Sequence, residues 1–344
     1  MEDIRSFTYQ ELINIFTEKG HKEFRVRQLF KWLYEKLCYN FDDMTDLSKD
    51  FRKFLKDNYL IKSLETEDIQ TSKDGTKKFL FRTEDHKFIE TVFMPIDGRY
   101  TICISSQVGC PADCQFCCTG SKGFERNLNT WEIIDQLSLV TLHTAIKPNN
   151  IVFMGMGEPL LNYDNVVKAV HILRNPYGFA YSAKKITLST VGMVDGIIRL
   201  GRDLDIKLAV SINATTDEQR DKIMPVNKKY PLNMLIKALE SYPLEKDGEI
   251  TIEYVMIKNF NDASEDAERL IDILKHVRAK INLIIFNPWE GCSFKSPDYD
   301  NVLLFQKRLR EAGFLVFIRD SKGADISAAC GQLRGKKLVS TIGG

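Results

Sequence analysis

Three cysteines, Cys110, Cys114 and Cys117, stand at the spacing C-x3-C-x2-C, just after the run Thr101-Ile-Cys-Ile-Ser-Ser-Gln-Val-Gly109. Thiolates so spaced can gather in one tight loop, and short loops of this kind hold iron–sulfur clusters, commonly with four cysteines. With three, one iron is left open to another ligand, the feature that also separates catalytic from structural metal sites. The alternatives are a structural zinc site or three unrelated core cysteines. Zinc asks for a fourth ligand and usually a second Cys/His pair, and none lies at the usual spacing nearby. Cys118 adjoins Cys117, but neighbouring side chains on extended backbone point apart. The spacing favours a cluster over zinc and leaves both open.

The chain that must position these cysteines has 344 residues, enough for one large domain and a small one. Hydrophobic residues make up 44% and charged residues 28%, as in soluble globular proteins. No apolar run reaches the roughly 18–20 residues of a membrane span. The start, Met1-Glu-Asp-Ile-Arg-Ser, lacks the apolar core of a signal peptide, so a cytoplasmic protein is expected. Eight cysteines then read as ligands or reactive thiols rather than a disulfide scaffold. A net charge of +1 is neutral on nucleic acid.

Residues 1–75 are expected to form a helical accessory domain. Tyr9–Phe16, Val26–Leu33 and Ser48–Leu55 carry apolar groups at helical spacing, with Gly20 as a stop and Ser48 as an N-cap. Arg25, Arg27 and Lys31 sit close together there, although Lys+Arg and Asp+Glu balance at 12 each through residue 65. At Lys77–Arg82 and Lys87–Phe93 the period changes to that of a β-hairpin, so 76–95 reads as a linker. From Arg99 onward strands and helices alternate in about six βα units, fewer than the eight of a closed barrel. The expected fold is α/β, a partial (β/α)6 TIM-type barrel over 96–325, followed by a C-terminal segment at 326–344 that carries Cys330.

Parallel α/β folds bind ligands beyond the C-terminal ends of their strands. The cysteine loop, Gly155-Met-Gly157-Glu158-Pro159, Ser189-Thr-Val-Gly192, Ser211-Ile212-Asn213 and Asn287-Pro-Trp all fall at such ends. Gly155 and Gly157 would let backbone approach a ligand, Glu158 could accept from an ammonium group, and Ser189, Ser211 and Asn287 could bond ribose or carboxylate. Each motif alone is weak, and their convergence on one rim is the signal.

Together these residues resemble the radical S-adenosylmethionine enzymes, and within them the adenosine-C2 methyltransferases of ribosomal and transfer RNA. The resemblance runs over nearly the whole chain. It rests on Ser105-Ser-Gln-Val-Gly-Cys110, the cysteine loop, Gly123-Phe-Glu-Arg-Asn-Leu128, Gly155-Met-Gly-Glu-Pro-Leu160, Ile223-Met-Pro-Val-Asn227 and Ala328-Ala-Cys-Gly-Gln-Leu333. It implies a 4Fe–4S cluster on Cys110, Cys114 and Cys117, with S-adenosylmethionine at the open iron held by Gly157, Glu158, Ser189, Ser211, Ile212, Asn213 and Asn287. It also implies two roles for that cofactor, methyl donor and radical source. Adenine C2 is not nucleophilic, so by resemblance Cys330 first takes the methyl and a radical then activates it. The carbon adds to the base, Glu90 takes the C2 proton, and Cys103 frees the RNA by forming a disulfide with Cys330. Without the resemblance, Cys103 reads as a core strand residue and Cys330 as a buried loop thiol. The implied partners are 23S rRNA, tRNA as a further substrate, and an electron donor such as flavodoxin or ferredoxin, with no membrane and a monomeric protein.

Two positions depart from the family pattern. Asn213 stands where histidine is common, and Asp320 stands where a basic residue or serine usually follows the arginine. Pro159 favours C2 over the sister C8 activity, whose members usually carry alanine there. A non-catalytic iron–sulfur RNA-binding protein is the rival from another class; Glu90, Cys103 and Cys330 together argue against it. Cys38, Cys118 and Cys292 have no implied role. Lys184-Lys185, Lys228-Lys229 and Arg334/Lys336/Lys337 are candidate phosphate contacts and equally good solvated charges.

Overall fold

The computed structural model describes residues 1–335. A short strand β1 (Glu2–Asp3) pairs in parallel with β2 (Tyr59–Leu60) and brackets helices α1 (Tyr9–Glu18), α2 (Phe24–Phe30) and α3 (Lys49–Asn58). The expected caps form. The Ser48 hydroxyl accepts from Phe51 N–H, and Gly20 leaves α1 with φ of 80°. Phe16, Val26, Leu29, Phe30, Phe51 and Leu55 make the module's core. Arg5, fully buried, fastens it to the rest by donating to Asp135 at 2.6 Å, and Tyr39 donates to the same carboxylate at 2.5 Å.

Strands β3 (Glu65–Thr71), β4 (Lys77–Arg82), β5 (Phe88–Ile96) and β6 (Arg99–Cys103) form an antiparallel meander. A small ribbon of β7 (Gln107–Gly109) and β8 (Phe124–Asn127) flanks the cysteine loop. Helix α4 (Thr130–Thr144) starts one residue earlier than its threonine suggests: Asn129 is the N-cap, and its N–H donates to Glu132 at 2.8 Å. Then follow β9 (Asn150–Phe153), α5 (Tyr163–Arg174), β10 (Ile186–Thr190), α6 (Val194–Asp203) and β11 (Lys207–Ser211). The chain continues through α7 (Asp217–Ile223), α8 (Leu232–Glu240), β12 (Ile250–Met256), α9 (Ser264–Leu274), β13 (Ala279–Ile285), α10 (Tyr299–Glu311) and β14 (Leu315–Arg319).

One ten-stranded sheet runs in the order β14-β13-β12-β11-β10-β9-β6-β5-β4-β3. From β6 through β14 every pairing is parallel, so helical crossovers link these strands as the alternating pattern requires. Three antiparallel strands extend the parallel sheet at its β6 edge. The hairpin expected as a linker is therefore part of the sheet, and β3, which the sequence reading did not single out, joins it.

The strands are not apolar on both faces. Along β12, Ile250, Ile252, Tyr254 and Met256 are buried against helices, while Thr251, Glu253 and Val255 take the other face. Register places Ser211, Glu253 and Asn282 side by side on one rung of that face. That rung gives the inner face polar side chains at the C-terminal half of the parallel strands, where α/β folds place their sites.

Candidate functional site

The cysteine loop is shaped by its turns. Gly109 has φ of +75°, and a Cβ there would lie 2.1 Å from Gly123 O, so only glycine fits. Cys110 N–H donates to Gly123 O at 2.9 Å, and Cys117 N–H to Cys114 O at 3.0 Å. Burial, the neighbouring Cys117 and Glu158 push the Cys110 thiol up to about 12, with an N–H from Ala112 opposing. Burial, then Cys117 and Cys110, push Cys114 well up. Cys117 is raised by burial, against N–H groups of Gly120 and Thr119.

The three thiols thus crowd one another in a loop whose N–H groups aim at their sulfurs, a donor set that fits an iron–sulfur cluster. Among the described residues no three His, Cys, Asp or Glu converge tightly enough for a single metal ion. A cluster does not need that, because each cysteine binds a different iron.

Glu158 is buried. Its two oxygens accept from Leu160 N–H at 3.0 Å and Val191 N–H at 2.8 Å, and burial raises it to about 7. The carboxylate joins the loops after β9 and β10, with Thr190 as a further partner, and of its roughly four acceptor positions these bonds leave one for a ligand. Gly157, with φ of +105°, has Gln107 where its Cβ would be, at 2.6 Å; the close approach there is to protein rather than to ligand. Gly155 is likewise pressed against the Ile104 backbone.

Ser189 and Ser211 are half-buried on the inner face, as expected. Ile212 and Asn213 are not placed there. Both are fully buried, and Asn213, at φ of +56°, accepts from Val255 N–H at 2.8 Å. Asparagine tolerates that left-handed backbone and spends its side chain holding β12, which is what stands in place of a histidine contact. Asn287, half-buried beyond β13, donates to Cys330 O at 3.3 Å.

Two loops are organised by Arg220, a residue the sequence reading passed over. Its buried guanidinium donates to the carbonyls of Ile212, Val191 and Ser211 and to Asn227 Oδ1. Burial lowers it to about 10. The signal was present as a lone arginine ahead of Ile223-Met-Pro-Val-Asn227.

Cys103 ends β6, pairs across β5 with Val92 and points to the inner face. Glu90 lies two residues from Val92 and shares that face. Cys330 comes to them from the far end of the chain. Gly323 N–H donates to Asp74 at 3.1 Å and Ser72 Oγ to Asp325 at 2.6 Å, which fixes the segment on the β3–β4 turn. Cys118 N–H donates to Gly331 O at 2.7 Å and Thr119 Oγ1 to Leu333 O at 2.8 Å, which fixes it on the cysteine loop.

Burial and then the nearby Cys330 push the Cys103 thiol up. Cys330 is solvent-accessible yet surrounded, and burial and Glu253 raise it to about 11, with Arg319 opposing. The structure brings Glu90, Cys103 and Cys330 together beside the cysteine loop. Lys336 and Lys337 lie outside the described residues, and Arg334 pairs with Glu290 at 3.3 Å.

Residues 2–61 match the model of the ribosomal RNA large subunit methyltransferase N-terminal domain, and 104–274 that of the radical SAM superfamily. The dual-specificity RNA methyltransferase RlmN of Geotalea uraniireducens is 48% identical over 97% of both chains. A probable dual-specificity RNA methyltransferase RlmN of Thermotoga petrophila is 43% identical over 99% of this chain and 100% of that one. The crystal structure of a radical SAM methyltransferase from Sphaerobacter thermophilus superposes with a TM-score of 0.91 at 38% identity, covering 98% of this chain and 100% of that chain. On this similarity over its whole length, the chain belongs to the RlmN family of radical S-adenosylmethionine RNA methyltransferases.

Proposed function

We propose that this protein methylates C2 of adenosine in 23S rRNA and in tRNA, by way of a methyl group carried on Cys330. The observation that carries the reading is the meeting of Cys103, Cys330 and Glu90 on one face next to Cys110, Cys114 and Cys117. A 4Fe–4S cluster on those three cysteines, with S-adenosylmethionine on its open iron, supplies one-electron chemistry when bound. Ser189 and Ser211, which share the inner face, and Asn287 at its rim would orient that cofactor in this reading.

The chain's own groups do the rest. Cys330, exposed to solvent, first loses its thiol proton, with Arg319 nearby to offset the charge, and the thiolate then takes the methyl from the donor's sulfonium, whose S–CH3 bond breaks to leave a thioether on each side. Glu90 receives the C2 proton from the base. Cys103 then gives up its proton and attacks the Cys330 sulfur, so the disulfide forms as the S–C bond to RNA breaks; the electron pair leaves with the carbon, which takes up a proton in place of the sulfur and becomes the methyl group. Burial raises the Cys103 thiol above its ordinary range, which disfavours its thiolate. A flavodoxin- or ferredoxin-type donor, a cytoplasmic setting and a monomeric protein complete the reading.

The test is anaerobic reconstitution with reductant, S-adenosylmethionine and an adenosine-containing rRNA fragment or tRNA, with products identified by mass spectrometry. 2-Methyladenosine is expected in both RNAs. Its absence with an intact cluster overturns the reading, and 8-methyladenosine would put the sister activity in its place.

A further inference from the structure

Lys78 lies on β4 opposite Val92, on the same rung as Cys103, so the three side chains share the inner face. It is only 5% exposed, and Glu90 only 2%. Its Nζ stands 3.2 Å from Glu90 Oε1 and donates to Ser327 O at 3.4 Å. The other oxygen, Oε2, accepts from the N–H groups of Arg334 at 2.5 Å and Gly335 at 3.0 Å. The Glu90 backbone is held as well, since Ser105 Oγ donates to its carbonyl at 2.6 Å.

A lysine at this depth is rare unless it has a task or a partner. Here it reaches both the carboxylate and the segment that carries Cys330, three residues beyond Ser327. A carboxylate offers roughly four acceptor positions. Among the described residues three are taken, two on Oε2 and one on Oε1, which leaves one position on Oε1, beside Lys78 and on the face that holds Cys103. Every donor to Glu90 is a partner for the ionised carboxylate, and Lys78 is the one that touches the oxygen left to react. Among the described residues, Arg334, through its backbone N–H, and Cys118 also lie near Glu90.

We propose that Lys78 is a positioning residue for the methyl transfer: held by Ser327 O, it aims Glu90 Oε1 at the C2 proton. The proposal rests on Glu90 as the proton acceptor. In the step concerned the C2–H bond of the enzyme-bound adenine breaks, its electron pair stays in the ring, and the proton goes to Oε1. Lys78 keeps its own protons throughout. A carboxylate displaced by an ångström loses this transfer even when everything else is in place.

Four cluster-loaded proteins decide it: wild type, Glu90→Gln, Lys78→Met and the double variant. Each is assayed for methyl on Cys330 by intact mass, for covalent enzyme–RNA adduct on denaturing gels, and for the rate of 2-methyladenosine release. Glu90→Gln is expected to slow release about 10²–10⁴-fold, the range for a lost proton acceptor. Lys78→Met is expected to slow it about 10²-fold. Both singles should take the methyl on Cys330 and accumulate adduct. The double should be no slower than Glu90→Gln, because Lys78 acts only through that carboxylate. Release by Lys78→Met at the wild-type rate, or losses that multiply in the double, would overturn the proposal. If Glu90→Gln itself releases product normally, the role of Glu90 falls and this proposal falls with it. A lone buried carboxylate can unfold Lys78→Met. The double variant carries no buried charge at this pair, so its comparison with Glu90→Gln still decides.

Discussion

Cys110, Cys114 and Cys117 reach one another through a single turn of chain, whereas Cys103 and Cys330 meet only because opposite ends of the fold are docked together. In the first group, spacing and a few turn residues do the work: Gly109 in a backbone only glycine allows, and Asp113 at φ of +49°. In the second, a strand end is fixed by the sheet, and a non-repetitive segment is pinned by contacts to the β3–β4 turn, the cysteine loop and Asn287. A locally built site holds its ligands whether or not distant parts move. A site assembled from distant parts of the chain depends on their docking, and the proposed role of Cys330, to take a methyl, bond to RNA and then meet a second thiol, would use such freedom.

That contrast is open to attack, beginning where the effect is greatest. Cys114→Ala should lose iron and all RNA methylation, by iron content and product assay, while Cys330→Ala should keep wild-type iron and still make no methylated RNA. Equal iron loss in both would erase the distinction between the groups. Next, Cys103→Ala should carry methyl on Cys330 and accumulate covalent enzyme–RNA adduct, visible on denaturing gels. Free RNA product at normal yield would remove Cys103 from the resolving step.

A pH series sharpens the same point. Burial raises Cys330 to about 11, so its thiolate fraction, and with it the rate of Cys330 methylation, should climb about tenfold per pH unit below that value. A rate flat between pH 7 and 9, read by intact mass, would mean that proton removal is not limiting. The smallest effect belongs to the accessory module. Ser48→Ala removes the cap on α3 and should cost about 1 kcal/mol in chemical denaturation, with iron content unchanged. A larger loss accompanied by loss of iron would show that the module and the cluster loop unfold as one.

Hydrophobic periodicity made most of the fold legible. The alternation from β6 to β14 appears in the sequence with boundaries within a few residues, because buried strands and amphipathic helices print their periods directly. The strand β3, Glu65–Thr71, went unseen because it lies at the sheet edge with a mostly polar, half-exposed pattern. At the site, residue type did not reveal the partners that the fold supplies. Glu158 and Asn213 look like ligand-binding side chains, and each also accepts from backbone N–H groups of the protein itself. Arg220 and Lys78 look like surface charges and are buried, each reaching several acceptors that no local pattern brings together.

The sequence by itself determined the cluster loop, since three cysteines within one turn are close in any fold that keeps the turn. It also determined the order of strands and helices, because their periods are local. Only the tertiary structure decided that Cys103, Cys330, Glu90 and Lys78 share one face. That outcome depends on sheet register, which sets the side every strand residue takes, and on the docking of a segment hundreds of residues away. Both depend on contacts between distant residues, and no short stretch of sequence records them.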